Sequence, residues 1–122
     1  MSETIRVNAE TLIAAERVNG TDVYNAAGER LGVLDDILID RVSGRAVYAV
    51  MSFGGFLGMG ESHHPIPWAM LKYDPAVKGY RVNLDKQQLH AAPHFDKDTD
   101  FTWTPDYGRR VDSYYRMPTL WE

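Results

Sequence analysis

Glu61, His63 and His64 are the residues whose types and spacing come nearest to a metal site. Carboxylate oxygens and imidazole nitrogens are ordinary zinc ligands. Neighbouring side chains of a strand point to opposite faces, however, so His63 and His64 could share an ion only from a loop. His90 and His94 have i,i+4 spacing, but a proline between them breaks the helix that would align the rings. We predict structural roles, no bound metal and no cofactor, with a small metal-dependent activity at Glu61, His63 and His64 as an alternative.

Three aspartates, Asp35, Asp36 and Asp40, crowd one apolar stretch. Paired carboxylates can do acid–base chemistry when their surroundings separate their pKa values. Aspartate beside a turn more commonly accepts hydrogen bonds from turn backbone, which is the role we predict. Ser62 next to His63 does not indicate a nucleophile and its base, because that pairing depends on spatial geometry. We therefore predict no catalytic residue and a protein that is not an enzyme.

A glycine-rich stretch, GGFLGMG, occupies positions 54–60. It lacks the Lys-Ser/Thr end of a phosphate-binding P-loop and contains no basic residue. Two interpretations remain open for Phe56, Leu57 and Met59. They pack inward from a tight turn, or they form an exposed apolar tip that docks a partner.

The segment 101–122 interleaves aromatic side chains with Arg109, Arg110 and Arg116. This composition is typical of interface anchors and of single-stranded nucleic-acid platforms. We favour a third role, in which the segment covers one face of its own sheet, or of a second copy. The residues assigned to partner binding, across both segments, are Phe56, Leu57, Met59, Trp103, Tyr107, Tyr115 and Trp121.

Two apolar, β-branched runs, at 33–40 and 46–53, form the centre of the predicted fold. Gly44 lies between them and can supply a positive φ, so the pattern predicts a β-hairpin. Apolar residues occur at both odd and even positions, which requires cover on both faces. We expect Ile37, Ile39, Val47 and Ala49 to be buried.

Weaker patterns flank the hairpin. They predict strands at 11–17, 22–25, 71–74 and 79–83, irregular backbone at 66–71, and a helical turn at 84–90 capped by Asp85. Thr104 followed by Pro105 indicates a helix start, with Tyr107, Val111, Tyr114 and Tyr115 on one stripe.

The order of motifs across 32–68 is G-x-x-x-D-x-x-x-D, a glycine turn, YAV, GGFLGMG and PIPW. This order resembles the PRC-barrel family over about 11–85. The family is named after the photosynthetic reaction centre H subunit and includes the C-terminal domain of a ribosome maturation factor. The resemblance implies a mainly β fold: a small barrel of short, strongly bent antiparallel strands. We assign 1–100 to it and 101–122 to a helical aromatic tail packed on the barrel or on a partner subunit.

Composition limits the remaining classes. The 122 residues suffice for one domain, there is no cysteine, and the net charge is −4. The acidic balance argues against nucleic acid as the main ligand. The N-terminus lacks the features of a signal peptide, and no apolar run reaches the roughly 20 residues of a membrane anchor. The resemblance implies a bacterial protein, and the absence of cysteine fits the cytoplasmic location that we expect.

Family members dock onto partner proteins, so the resemblance implies a non-enzymatic protein-interaction or assembly module. The alternative is ribosome- or RNA-associated binding like that of the maturation factor, which would use the arginines of the tail. Two apolar surfaces on one small barrel also predict a homodimer, with Phe56, Leu57, Trp103 or Tyr115 at the contact.

Overall fold

The computed structural model of the protein describes residues 12–54, 61–97, 99–119 and 121. Its strands are β1 (Asp22–Tyr24), β2 (Arg30–Ile39), β3 (Ala46–Phe53), β4 (Ser62–Pro67), β5 (Lys72–Asp74), β6 (Gly79–Arg81) and β7 (Phe95–Asp96). Its helices are α1 (Ala15–Val18), α2 (Lys86–Ala91) and α3 (Pro105–Tyr114), with a short 3-10 helix at Trp68–Met70. The prediction of a mainly β chain is confirmed.

The strands of the described ranges form one seven-stranded sheet in the order β5-β6-β1-β2-β3-β4-β7. Every neighbouring pair is antiparallel except β1 and β6, which are parallel. The prediction of wholly antiparallel strands is therefore wrong. Strands β2 to β5 lie between β1 and β6 in the chain and supply the long crossover that a parallel pair needs. In the described ranges no hydrogen bonds pair the edge strands β5 and β7, so the sheet is not closed into a barrel by hydrogen bonding.

The N-terminal prediction also needs correction. We expected a strand at 11–17, but Ala15–Val18 form α1, and only Val18 of this helix is buried. The sequence AERV begins with three good helix formers and has a single β-branched residue. Strand propensity at this position was therefore weak from the outset.

The predicted hairpin is formed by β2 and β3, and Gly44 in its turn has a φ of +76°. The carboxylate of Asp40 accepts hydrogen bonds from the backbone N–H groups of Val42 and Ser43 at 2.8 and 3.1 Å. The Ser43 and Val42 N–H groups hold the pKa of Asp40 below its usual value. The turn-capping role predicted for Asp40 is confirmed.

A bulge changes which residues of β2 face the core. Leu34 pairs with Met51 and Asp36 pairs with Val50, so Asp35 is an extra residue on β2. The register shifts again before Ile39, whose exposure is 52%. The prediction that Ile39 is buried is wrong, because the bulges break the simple alternation on which it rested.

Strand β3 is covered on both faces, as the mixed hydrophobic pattern predicted. Ala49, Met51 and Phe53 lie on one face and join the main core with Leu34 and Ile66. Alternation places Tyr48, Val50 and Ser52 on the opposite, outer face, and these are also buried. The outer face therefore needs a cover from elsewhere in the chain.

Strand β4 takes in Ile66 and Pro67, the first two residues of the segment predicted to be irregular, and the 3-10 helix at Trp68–Met70 takes up most of the rest. Pro65 and Pro67 pair in register with Val50 and Tyr48 of β3. On the other side β4 meets β7 only at Ser62 and His63. From Pro65 onward β4 is an edge, where a missing backbone N–H costs little.

Both predicted helix starts are confirmed. Asp85 caps α2 with its side chain, and Gln88 returns a bond to the Asp85 backbone, which completes a capping box. Thr104 caps α3 through the N–H of Tyr107, with Pro105 in the first turn. The Thr104 cap therefore fixes the start of α3 at Pro105.

Candidate functional site

The cover of the outer face is the described part of the C-terminal segment, namely 101–119 and Trp121, which we call the C-terminal cover. The ring of Trp103 packs 4.9 Å from that of Tyr48 on β3, and Trp121 lies 6.2 Å from Trp103. Phe101 stacks on Phe95 of β7 at 4.0 Å. An aromatic layer therefore seals the outer face within one chain.

A buried polar network ties this cover to the sheet. The Tyr48 hydroxyl donates to Oδ1 of Asp112 on α3 at 2.6 Å, and Nε1 of Trp121 donates to the Tyr48 oxygen at 2.9 Å. Tyr48 is 2% and Asp112 3% exposed. Burial, and then the Asp112 side chain, raise the pKa of Tyr48, so the phenol remains a proton donor. The network fixes both α3 and the end of the described chain on β3.

The residues assigned to partner binding have different environments. Tyr107 and Tyr115 are buried in the core of their own chain. Trp103 and Trp121 are partly buried against that core. For Tyr107 and Tyr115 this burial leaves hardly any side-chain surface for a partner, so we reassign them to holding the cover in place. Phe56, Leu57 and Met59 of the glycine-rich stretch lie outside the described residues.

The bulged Asp35 organises a polar group on the outer face. Its Oδ2 accepts a short hydrogen bond from the Ser52 hydroxyl and lies 3.0 Å from Nε2 of His63. The carboxylate therefore stands between serine and histidine, whereas a nucleophile must contact its base directly. His63 packs edge-on against Phe95 at 5.3 Å. No sequence pattern indicates that Asp35, Ser52 and His63 come together, because a bulge cannot be recognised from the alternation of apolar and polar residues alone.

His64 points to the opposite face, as strand geometry predicts for neighbours. It is 3% exposed and stacks on His94 with ring centroids 4.9 Å apart. Phe53 contacts both His64 and His90, at 5.1 and 5.0 Å. The four rings form one packed cluster at the end of β4.

The metal hypothesis receives no support from this arrangement. His63 and His64 diverge to opposite faces, and His63 is engaged by Asp35. Across the described ranges no three histidine, acidic or cysteine side chains are placed to hold a metal ion. Asp36 accepts a hydrogen bond from the N–H of Ile37, a local backbone role.

His64 makes stability depend on pH. Burial, and then the charge of neighbouring His94, lower the pKa of His64 to about 4. The unfolded chain protonates near pH 6.5, and that difference corresponds to roughly 3 kcal/mol. The contribution is complete above pH 6.5 and is lost as pH falls towards 4, because only the unfolded chain then takes up the proton. Urea unfolding between these pH values should show this loss.

Two variants separate the pH effect of His64 from that of carboxyl groups, which titrate in a neighbouring pH range. His64→Phe keeps an aromatic ring in the stack but cannot ionise, so its stability should vary less with pH. His90→Gln removes only the smallest of the neighbouring effects on the pKa of His64, so it should change the slope less than His64→Phe does. An unchanged slope in His64→Phe would contradict the assignment.

An apolar pocket opens where the hairpin meets the C-terminal cover. It is lined by Leu38, Ile39, Asp40, Arg41, Val47, Tyr48, Trp103 and Trp121, and its volume is about 670 Å³. We call it the hairpin pocket. Its walls come from residues more than 50 positions apart, which is why no local pattern predicted it.

Comparison with known proteins identifies the family. A model of the PRC-barrel domain matches residues 10–89. The protein belongs to the PRC-barrel family. Among curated proteins, no sequence matches this chain. None of the helices in the described ranges has the length and apolar character needed to cross a lipid bilayer.

The PRC-barrel match ends within α2, before β7 and α3. The C-terminal cover and two walls of the hairpin pocket, Trp103 and Trp121, therefore lie beyond the matched region.

Gly108 is the point on α3 where Trp121 approaches the helix. A Cβ at this position would overlap the indole of Trp121. Because Trp121 can swing outward, Gly108→Ala should release its ring and break its bond to Tyr48, while the sheet stays folded. The indole N–H signal of Trp121 in an NMR spectrum should shift towards its solvent-exposed position. Ser113→Ala, on the exposed face of α3, should leave that signal in place, and an unmoved signal in Gly108→Ala would contradict the packing.

Proposed function

We propose that this PRC-barrel protein is a non-enzymatic protein-interaction or assembly module. The observation that carries the proposal is the family match across 10–89, because members of this family dock onto partner proteins. The chain also exposes large apolar side chains, with Ile39 and Val42 close together at the hairpin turn and Tyr73 on β5. Such groups are typical of surfaces that meet another molecule.

The structural roles of the reactive side chains support the non-enzymatic part of the proposal. Asp35 is shared by Ser52 and His63, and Asp112 accepts from a buried tyrosine. His64 is enclosed by other rings. Each of these side chains makes at least one structural contact, and Oδ2 of Asp112 and Nε2 of His64 have no hydrogen-bond partner among the described residues.

We also propose that two copies associate. The glycine-rich stretch and the rim of the C-terminal cover remain the candidate contacts, through Phe56, Leu57 or Trp103. Sedimentation at micromolar concentration should then report a dimer. A chain ending at Asp100 should lose solubility, because it uncovers Tyr48 and the outer face of β3. A monomeric intact chain together with a soluble truncated one would contradict both expectations.

RNA or ribosome association is the second candidate, and the arginines of the cover are its basis. Arg109 lies 3.5 Å from Asp106, and Arg110 lies over the ring of Tyr107 at 5.8 Å. These contacts partly satisfy both cations, and the chain carries a net charge of −4. Protein partners are therefore the better fit. A gel-shift series with mixed RNA should show no tight, salt-sensitive complex.

Two further expectations belong to the same proposal. We propose a cytoplasmic location, in keeping with a chain that has no cysteine. We also propose that the sheet curls into the barrel of its family. Strands from both sides of the sheet support this, because Ile66 of β4 and Tyr80 of β6 share one core cluster with Leu34.

Affinity capture from the native host tests the function. The intact tagged protein should enrich one protein, or a few, over a tag-only control, in amounts comparable to the bait and at physiological salt. Recovery of bulk RNA, or of nothing above the control, would contradict the proposal.

A further inference from the structure

The hairpin pocket is shaped like a binding site. Its volume of about 670 Å³ lies within the roughly 300–1,000 Å³ of typical ligand pockets. Leu38, Ile39 and Val47 form an aliphatic wall, and Trp103 and Trp121 form the aromatic one. Large rigid aromatic side chains are the groups that supply most binding energy at interfaces.

Exposed apolar side chains also occur beyond the pocket, at the tip of the hairpin. Ile39 is 52% exposed at the pocket edge, and Val42 is 97% exposed in the turn. Neither side chain is needed to fill the core of its own chain. Apolar side chains therefore lie both in the pocket and at the hairpin tip, with Asp40 and Arg41 between Ile39 and Val42 in the chain.

Among the residues of the pocket lining and the turn, Arg41 and Arg45 are positive and Asp40 is negative. Arg41 lines the pocket and Arg45 lies across the same turn. In the described part of the chain neither guanidinium has an ion-pair partner. The nearby carboxylate of Asp40 is already engaged by two backbone N–H groups of the turn. The rim therefore carries two guanidinium groups without an ion pair and one ionised carboxylate, a local excess of positive charge on a chain whose net charge is −4.

We propose that the hairpin pocket docks an acidic segment of a partner protein, which inserts a bulky apolar side chain and pairs its carboxylates with Arg41 and Arg45. This inference rests on the proposed function and names the partner's chemistry. The apolar walls are complementary to the inserted side chain. The guanidinium groups of Arg41 and Arg45 are complementary to the flanking carboxylates. Rim charges of this kind select the partner and speed encounter.

Random peptides displayed on phage test the chemistry directly. Selection on the intact protein should enrich sequences in which an aromatic or aliphatic residue is flanked by Asp or Glu. Arg41→Glu should weaken the selected peptides at least about five-fold, and their binding should weaken as salt is added. Val47→Phe, which adds bulk to the aliphatic wall of the pocket, should abolish binding.

Lys72→Glu is the matched control, because it makes the same charge change on the distant edge strand β5. It should leave binding unchanged, and circular dichroism should show wild-type folding for both charge variants. Selected peptides that lack acidic residues, or that bind Arg41→Glu and Val47→Phe as well as wild type, would overturn the inference. So would a selection that yields no peptide sensitive to these variants.

The outcome is separable from that of the general proposal. A native partner protein captured equally by wild type, Arg41→Glu and Val47→Phe would remove the hairpin pocket as its docking site and leave the interaction function intact. Acidic peptides that need the pocket, combined with no native partner protein, would support the pocket chemistry and contradict the interaction function.

Discussion

Gly32→Ala is expected to destabilise the protein by about 3 kcal/mol or more, because strands β2 and β3 approach too closely to admit a methyl group. A Cβ at position 32 would overlap the backbone carbonyl oxygen of Ser52, and it would lie 3.1 Å from Cγ of Met51. A backbone atom in a central strand cannot move aside as a side chain can. Either the hairpin must separate or the residues around it must shift.

Gly44→Ala provides the matched control for this substitution. Nothing lies within 4 Å of a Cβ at position 44, so the added methyl meets open space. The remaining cost is that of a left-handed backbone, at a φ of +76°, which is about 1 kcal/mol for alanine. Urea unfolding of both variants measures the difference. Equal losses would contradict the close approach of β2 and β3 at Gly32.

Tyr48→Phe is expected to cost roughly 3–4 kcal/mol, far more than a single hydroxyl usually contributes. The substitution leaves the buried side chain of Asp112 without its hydrogen-bond donor and Nε1 of Trp121 without its acceptor. The second carboxyl oxygen of Asp112 already has no partner among the described residues. An unsatisfied acidic group would then stand in a nearly dry environment.

Tyr114→Phe is the control, because Tyr114 is a tyrosine on the same helix as Asp112. Its hydroxyl donates to the carbonyl of Gln88 at 2.5 Å, but Tyr114 is 36% exposed, so water can replace the lost bond. Its cost should stay below about 1 kcal/mol. Combining Tyr48→Phe with Asp112→Leu should recover part of the loss, since the second change removes the unsatisfied acid. A double variant with fully additive losses would contradict the network.

The parts of the fold that sequence reasoning predicted are those that local chemistry determines. The β2–β3 hairpin follows from two β-branched runs around Gly44, and the starts of α2 and α3 follow from Asp85 and Thr104. The requirement for an outer cover followed from apolar residues on both faces of one strand. Each of these signals lies within a few residues of the structure that it specifies.

The parts that it missed depend on contacts between distant residues. The bulge at Asp35 and the register shift before Ile39 change which residues of β2 face the core, and they leave Ile39 exposed. The hydrophobic periodicity of the sequence gives no sign of either irregularity. The parallel pairing of β1 with β6 joins strands that no turn connects. At the candidate site, Trp103 and Trp121 were predicted to bind a partner, whereas Arg41 and the aliphatic wall of the pocket were not. The pocket exists only because the C-terminal cover returns across the hairpin.

Photocrosslinking in the native host tests most directly whether the protein acts by docking a partner at the hairpin. A photoreactive amino acid replaces Val42 in one variant and Ala76, exposed in the β5–β6 turn, in the other. If a partner docks at the hairpin, position 42 should give a discrete protein adduct and position 76 should give none. An adduct from position 76 alone, or no adduct from either position, would contradict docking at the hairpin.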